Sequence, residues 1–345
     1  MPLNNDAAAA QNAGLTLAAG MHLPALDGHR VWWCEGGDGA AGALPVLMVH
    51  GGPGGQTRSE PLAWWQGQPV RWIAIDQRGC GRSEPPGAVE NNHLEGLLQD
   101  MERLREHLGL QRWALAAGSW GALVALAYAQ RHPQRVTGLH LRSAFLGSAA
   151  EVERYLQPWE TWLGEAGQAA LKGDVKALRR MFQPATAPRQ PETGLTPIDD
   201  PSLFTDEALL AQAWARFDDA QSQPGGVAGH AARWSAEAVP AGLPPSWLVF
   251  RHYASHGWFL DGPLPDSLPA SLPASLRELP VALVHGSRDA CCDPAVSRAI
   301  AAWHRDAALV EVPEAGHRMG HPALAAALRD SAAAWLRRLR GAPPA

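Results

Sequence analysis

Ser119 lies in Ala117-Gly118-Ser119-Trp120-Gly121, between an apolar run and an apolar stretch of helical character. A serine at a sharp strand-to-helix turn exposes its hydroxyl, and small flanking residues let the helix pack close to the strand. A hydroxyl is a weak nucleophile until a base takes its proton. His317, after Ala315-Gly316, is the candidate base, and Asp289, after Val284-His-Gly-Ser-Arg288, is the candidate acid. Asp293 competes for the acid role, but Pro294 follows it, which suits a helix N-cap better. Upstream, His50-Gly51-Gly52-Pro53-Gly54-Gly55 follows a buried strand, and glycines let backbone amides approach a developing oxyanion. The expected donors are the amides of Gly52 and Trp120. The chemistry is acyl transfer: Asp289 fixes the His317 tautomer, and His317 removes the Ser119 proton.

Competing chemistries fit less well. The glycine loop lacks the Lys-Ser or Lys-Thr ending of a nucleotide-binding loop. A second glycine-rich loop, Asp76-Gln-Arg-Gly-Cys-Gly-Arg-Ser83, reads as structural support beside the first. His317 and His321 have metal-ligand spacing but lack the glutamate of a zinc-hydrolase helix and sit beside Gly and Pro, so no metal is expected. Cys34, Cys80, Cys291 and Cys292 contain no Cys-x-x-Cys pair, and adjacent cysteines do not close an ordinary disulfide. Reduced thiols in a cytoplasmic protein are the expectation. No cofactor is implied. A net charge of −5 without a basic cluster argues against nucleic acid as partner. No apolar run reaches spanning length and Met1–Gly20 lacks a signal-peptide pattern, so neither membrane insertion nor export is expected.

Short apolar runs alternating with helical patterns position these residues. Strands are expected at Val31–Cys34, Leu44–His50, Arg71–Asp76, Trp113–Gly118, Val136–Arg142, Val281–Val284 and Ala308–Val312. Helices are expected at Leu98–Leu108, Ala122–Arg131 and from Ala323 to Arg340. The alternation stops after Phe145, and helical patterns with scattered tryptophans (Trp159, Trp162, Trp214, Trp234, Trp247 and Trp258) run to Asp261. Ser267-Leu-Pro-Ala270 and Ser271-Leu-Pro-Ala274 then form a Pro-rich return linker. The reading is an α/β-hydrolase fold: a mostly parallel sheet with helices on both faces and an inserted helical cap. The core spans 1–147 and 263–345, and the cap spans 148–262. The cap carries 14 acids against 9 bases while the remainder balances, an acidity that suits a cationic substrate end or an ordinary solvated surface.

From about residue 28 onward the chain resembles the proline iminopeptidases, enzymes that remove an N-terminal proline. The resemblance is carried by His50–Gly55, Asp76–Ser83, Asp100-Met-Glu-Arg-Leu-Arg-Glu-His107, and Gly118-Ser-Trp-Gly121 followed by Leu126-Ala-Tyr-Ala-Gln130. It implies the same triad, Ser119, Asp289 and His317, with Gly52 and Trp120 as oxyanion donors. It also implies cap carboxylates that hold the substrate's free amine. Asp218, in Ala213–Ala220, stands where a glutamate is usual, and Phe250, before Arg251-His252-Tyr253, stands where a second acid is expected. Asp219 or Glu207 could compensate, or be solvated helix faces. Phe250 and the cap tryptophans suit an apolar ring or ordinary core packing.

The expected function is a serine aminopeptidase acting on small peptides with N-terminal proline or another small apolar residue. An esterase or amidase with altered amine recognition is the alternative, and an intact triad argues against a non-catalytic binding protein. The partner is a small peptide, amide or ester substrate.

Overall fold

The computed structural model describes residues 17, 19–38, 42–65, 67–182, 204–229, 242–260 and 274–341. Eight strands form one sheet in the order β1-β2-β4-β3-β5-β6-β7-β8. They are β1 (Met21–His22), β2 (Trp32–Gly37), β3 (Leu44–Val49), β4 (Val70–Ile75), β5 (Trp113–Ser119), β6 (Val136–Ala144), β7 (Val281–Gly286) and β8 (Ala308–Val312). From β4 through β8 every pairing is parallel, while β1 and β2 close the other edge antiparallel. Parallel strands are covered on both faces, so β7 is buried at every position and reads as a continuous apolar run. Edge strand β8 alternates exposed and half-buried residues before Val312.

One face of the sheet packs on α2 (Leu94–His107), α3 (Trp120–Arg131) and α9 (Pro294–Trp303). The other packs on α1 (Glu60–Ala63) and α10 (Pro322–Leu339), with Trp65 and Trp335 at its centre. Helix α2 begins at Leu94, a turn before the expected Leu98. His93 is its N-cap and accepts from the Gly96 amide, a role that a Ser, Thr, Asp or Asn search passes over. Between β6 and β7 the described residues form α4 (Ala149–Leu156), α5 (Trp159–Leu171), α6 (Asp174–Met181), α7 (Glu207–Gln221) and α8 (Pro245–Ser255). Trp159, Trp162, Trp214 and Phe217 pack together there, and Trp247 and Trp258 are buried. Trp234 and the Ser267–Pro273 stretch of the linker lie outside the described residues.

The Asp76–Ser83 loop is fastened from both ends. Buried Asp76 accepts from the Thr57 amide and from the amide and guanidinium of Arg82, so it joins this loop to the segment after the glycines. Arg78 is fully buried and makes a two-pronged ion pair with Asp100 of α2, at 2.6 and 3.1 Å. Breaking a buried pair leaves an uncompensated charge, so Asp100→Ala should lower the unfolding free energy by about 3–5 kcal/mol. Urea denaturation measures this. A loss below 1 kcal/mol, the value of an exposed pair, would mean that half-exposed Asp27, 3.7 Å from the Arg78 guanidinium, or water takes over the charge.

Candidate active site

The strand order reverses at β3, with β4 on one side and β5 on the other. Ligands of open α/β sheets collect outside the carboxyl ends of strands at such a point. His50–Gly55 leaves the end of β3 and Ser119 ends β5, and both line a cavity of about 320 Å³. Ser119 has φ 56° and ψ −131°, a sparsely populated conformation for a residue with a side chain. The β5–β6 register shifts at the same place: Gly118 pairs with Arg142, whereas Ser119 pairs with Ala144. Such a bulge re-aims a side chain at a strand end.

Two glycines are demanded by close approach. A Cβ on Gly121 would lie 2.4 Å from the Val49 carbonyl oxygen, so only glycine lets α3 start this near β3. A Cβ on Gly54, where φ is +86°, would lie 2.3 Å from the Ser246 carbonyl oxygen of α8, so the glycine loop touches the cap helices directly. Gln77 locks this loop to α3. Its backbone amide donates to His50 Nε2, its side-chain NH2 donates to the His50 carbonyl, and its Oε1 accepts from Trp120 Nε1. With Nε2 accepting, His50 Nδ1 donates to the Gly51 carbonyl at 2.7 Å, and burial holds the imidazole below its ordinary pKa and neutral. Gly52 lines the cavity, and Trp120 opens α3, where first-turn amides have no acceptor within the helix.

The acid and base are in contact. His317 Nδ1 donates to Asp289 Oδ2 at 2.8 Å, and Asp289 Oδ1 accepts the Cys291 and Cys292 amides at 2.9 Å each. Burial alone would push the Asp289 carboxyl up. The charges and hydrogen bonds of His317 and His285 outweigh it and hold the group well below the usual carboxylate range. The other candidate acid, Asp293, accepts from the Ala295 amide as the N-cap of α9. Helices between β6 and β7 brace both groups: Arg154 donates to the Asp289 carbonyl at 2.7 Å, and Ser222 accepts the His317 amide at 3.0 Å. Ser119 Oγ lies 3.7 Å from Cys292 Sγ, and among the described residues no hydrogen bond joins it to His317. His317 lines the same cavity, and such bonds are often long or unformed without substrate. Burial pushes the Cys291 and Cys292 thiols well above their ordinary pKa, so neither is a thiolate nucleophile at neutral pH. Asp289, Cys291 and His317 place three donor atoms within 4.8 Å of one another, a group that could hold a metal ion only by displacing the His317–Asp289 bond.

Asp218 and Phe250 also line the cavity. Asp218 accepts the Tyr155 hydroxyl at 2.6 Å, and Phe250 stacks on Trp214 with centroids 4.7 Å apart. Asp219 and Glu207 are placed elsewhere: Asp219 pairs with Arg318, and Glu207 with Arg251 and Trp247. Sequence reasoning missed Gln77, Tyr155, Cys292 and Arg142. The last is a buried cation on the cavity wall that donates to the His317 carbonyl at 2.8 Å. A charged residue near the end of an otherwise apolar strand was the available signal for Arg142. Nothing in the sequence singles out Tyr155.

The family model described as the alpha/beta hydrolase fold matches residues 45–320. The chain is 32% identical to a proline iminopeptidase of Neisseria meningitidis serogroup B, over 89% of this chain and 93% of that protein. It is 31% identical to a proline iminopeptidase of Arabidopsis thaliana, over 89% and 77% respectively. A crystal structure of proline iminopeptidase from Mycobacterium smegmatis superposes with a TM-score of 0.55 at 20% identity, covering 93% of this chain and 98% of that one. With this sheet, this turn at Ser119 and these relatives, the chain is an α/β-hydrolase of the proline iminopeptidase family.

Proposed function

We propose that the protein is a serine aminopeptidase that releases N-terminal proline, or another small apolar residue, from short peptides. The observation that carries this reading is the Tyr155–Asp218 pair, which puts a carboxylate on the wall of the apolar cavity that contains Ser119. The substrate's ammonium pairs with Asp218 and its side chain rests against Phe250 and neighbouring rings. His317 removes the Ser119 proton, and Oγ adds to the first peptide carbonyl while the amides of Gly52 and Trp120 receive the oxyanion. The tetrahedral species collapses with the proton passing from His317 to the leaving amine. Water then hydrolyses the ester by the same route, returning free Ser119. The four free thiols suit a cytoplasmic setting.

Asp218→Ala tests amine recognition. It should lower kcat/KM on prolyl β-naphthylamide by about 10- to 100-fold, the range for a hydrogen bond to a charged group. An uncharged short acyl ester should be spared. Equal losses on both substrates would remove Asp218 from amine binding. The second reading, an esterase or amidase, is favoured by Phe250, which offers an apolar face to the cavity. Indifference to N-acetylation of the prolyl substrate would establish it over the first.

A further inference from the structure

The wall of the cavity on the side of the cap helices is mostly aromatic, with Val152, Asp218 and Ser222 between the rings. Phe145 meets Trp258 at 5.4 Å between centroids, Trp258 meets Phe182 at 6.1 Å, and Phe182 meets Phe250 at 5.8 Å. Trp214 stacks on Phe250 and meets Tyr155 at 5.5 Å, and the Tyr155 hydroxyl is spent on Asp218. These six rings all line the cavity, and among its described lining residues Asp218 is the single carboxylate. Here rings outnumber acids at the place where a cation has to sit.

That balance selects between kinds of ammonium ion. Each N–H taken from water needs an acceptor, or its desolvation goes uncompensated. The ammonium of a primary N-terminal residue carries three N–H groups, that of proline two, and that of an N-methylated proline one. Asp218 Oδ1 already accepts the Tyr155 hydroxyl, so Oδ2 is the oxygen left for the amine, and the single N–H of N-methylated proline satisfies it. The methyl group and diffuse positive charge of that residue suit the faces of aromatic rings, the arrangement that recognises alkylated ammonium ions. We propose that this pocket selects an N-terminal residue whose amine is tertiary, of the N-methylproline class, over the secondary amine of proline. The inference deepens the aminopeptidase reading and rests on it for the reaction that follows binding.

The test compares kcat/KM on N-methyl-L-prolyl, L-prolyl and N-acetyl-L-prolyl β-naphthylamides. The N-methylated substrate is expected to exceed the prolyl one by about tenfold, the scale of one N–H left facing rings without an acceptor. The neutral acetylated substrate should fall below both. A ratio of one or less between the methylated and prolyl substrates overturns the proposal. Phe250→Leu keeps an apolar wall but removes one ring face, so it should pull the ratio toward one. An unchanged ratio in both Phe250→Leu and Trp214→Leu would show that the rings do not carry the selection. Circular dichroism of each variant identifies failure to fold, and the wild-type ratio stands as a test without them. If no naphthylamide is cleaved, the aminopeptidase reading fails, and p-nitrophenyl acetate hydrolysis becomes the reporter. N-methylprolinamide inhibiting it about tenfold more tightly than prolinamide, again the scale of one unaccepted N–H, would uphold the pocket's selectivity. Equal or reversed inhibition would overturn it.

Discussion

Ser119→Ala is expected to lower kcat by about a millionfold, the scale on which removal of a serine nucleophile acts when base and acid remain in place. The expectation follows from local geometry. The backbone at Ser119 is held at φ 56°, the register slips beside it, and the two thiols that line the cavity are kept protonated by burial. Neither cysteine can stand in, so residual turnover comes only from oxyanion donors and binding. KM should change little, because the proposed function places the substrate's ring and amine on residues of the cap helices and not on Ser119. Stability should hardly change either, since alanine inherits the same backbone strain. Ser119→Gly separates the two effects: it removes the nucleophile and also relieves strain of roughly 1–3 kcal/mol, so it should melt above Ser119→Ala. Fluorophosphonate labelling reads the nucleophile directly. Labelling that persists in Ser119→Ala, or more than one per cent of wild-type turnover, would assign the nucleophile to another residue.

Much of this arrangement was legible because it is local. The turn at Ser119, the glycines after β3, and the aspartate and histidine after β7 and β8 are each marked by small residues following an apolar run. Strand boundaries fell within about two residues at most ends, because fully buried parallel strands read as unbroken apolar stretches. What depended on contacts distant in sequence was not legible. The early start of α2 rests on His93 as an uncommon cap, and the lock on the glycine loop rests on Gln77, whose partners are His50 and Trp120. Glu207 could be weighed as an amine anchor from its place on α7, but only the fold shows Arg251 of α8 taking it up. Tyr155 was invisible because its partner, Asp218, lies on a different helix.

Asp289→Asn is expected to lower kcat by about ten-thousandfold with little change of geometry. The direction of the amide is fixed by its neighbours. The Cys291 and Cys292 amides both donate to Asp289 Oδ1, so asparagine must put its carbonyl oxygen there and turn its NH2 toward His317. That NH2 donates to Nδ1, which can then no longer carry the proton. His317 is forced into the tautomer with its hydrogen on Nε2, and it cannot accept the proton of Ser119. The same substitution changes how stability responds to acid. The wild-type carboxyl is depressed in the folded state, so its contribution is present above the unfolded value of about 3.9 and is lost as pH falls through the folded value. Asparagine does not titrate, so the difference in unfolding free energy between wild type and variant should shrink below about pH 4 and stay level above it. Asp293→Asn, which alters the cap of α9 and the half-exposed ion pair of Asp293 with Arg154 at 3.4 Å, should leave kcat within a few-fold and cost at most about 1 kcal/mol. If Asp293→Asn instead caused the larger loss of kcat, the acid would be Asp293, and the hydrogen bond between His317 and Asp289 would be structural.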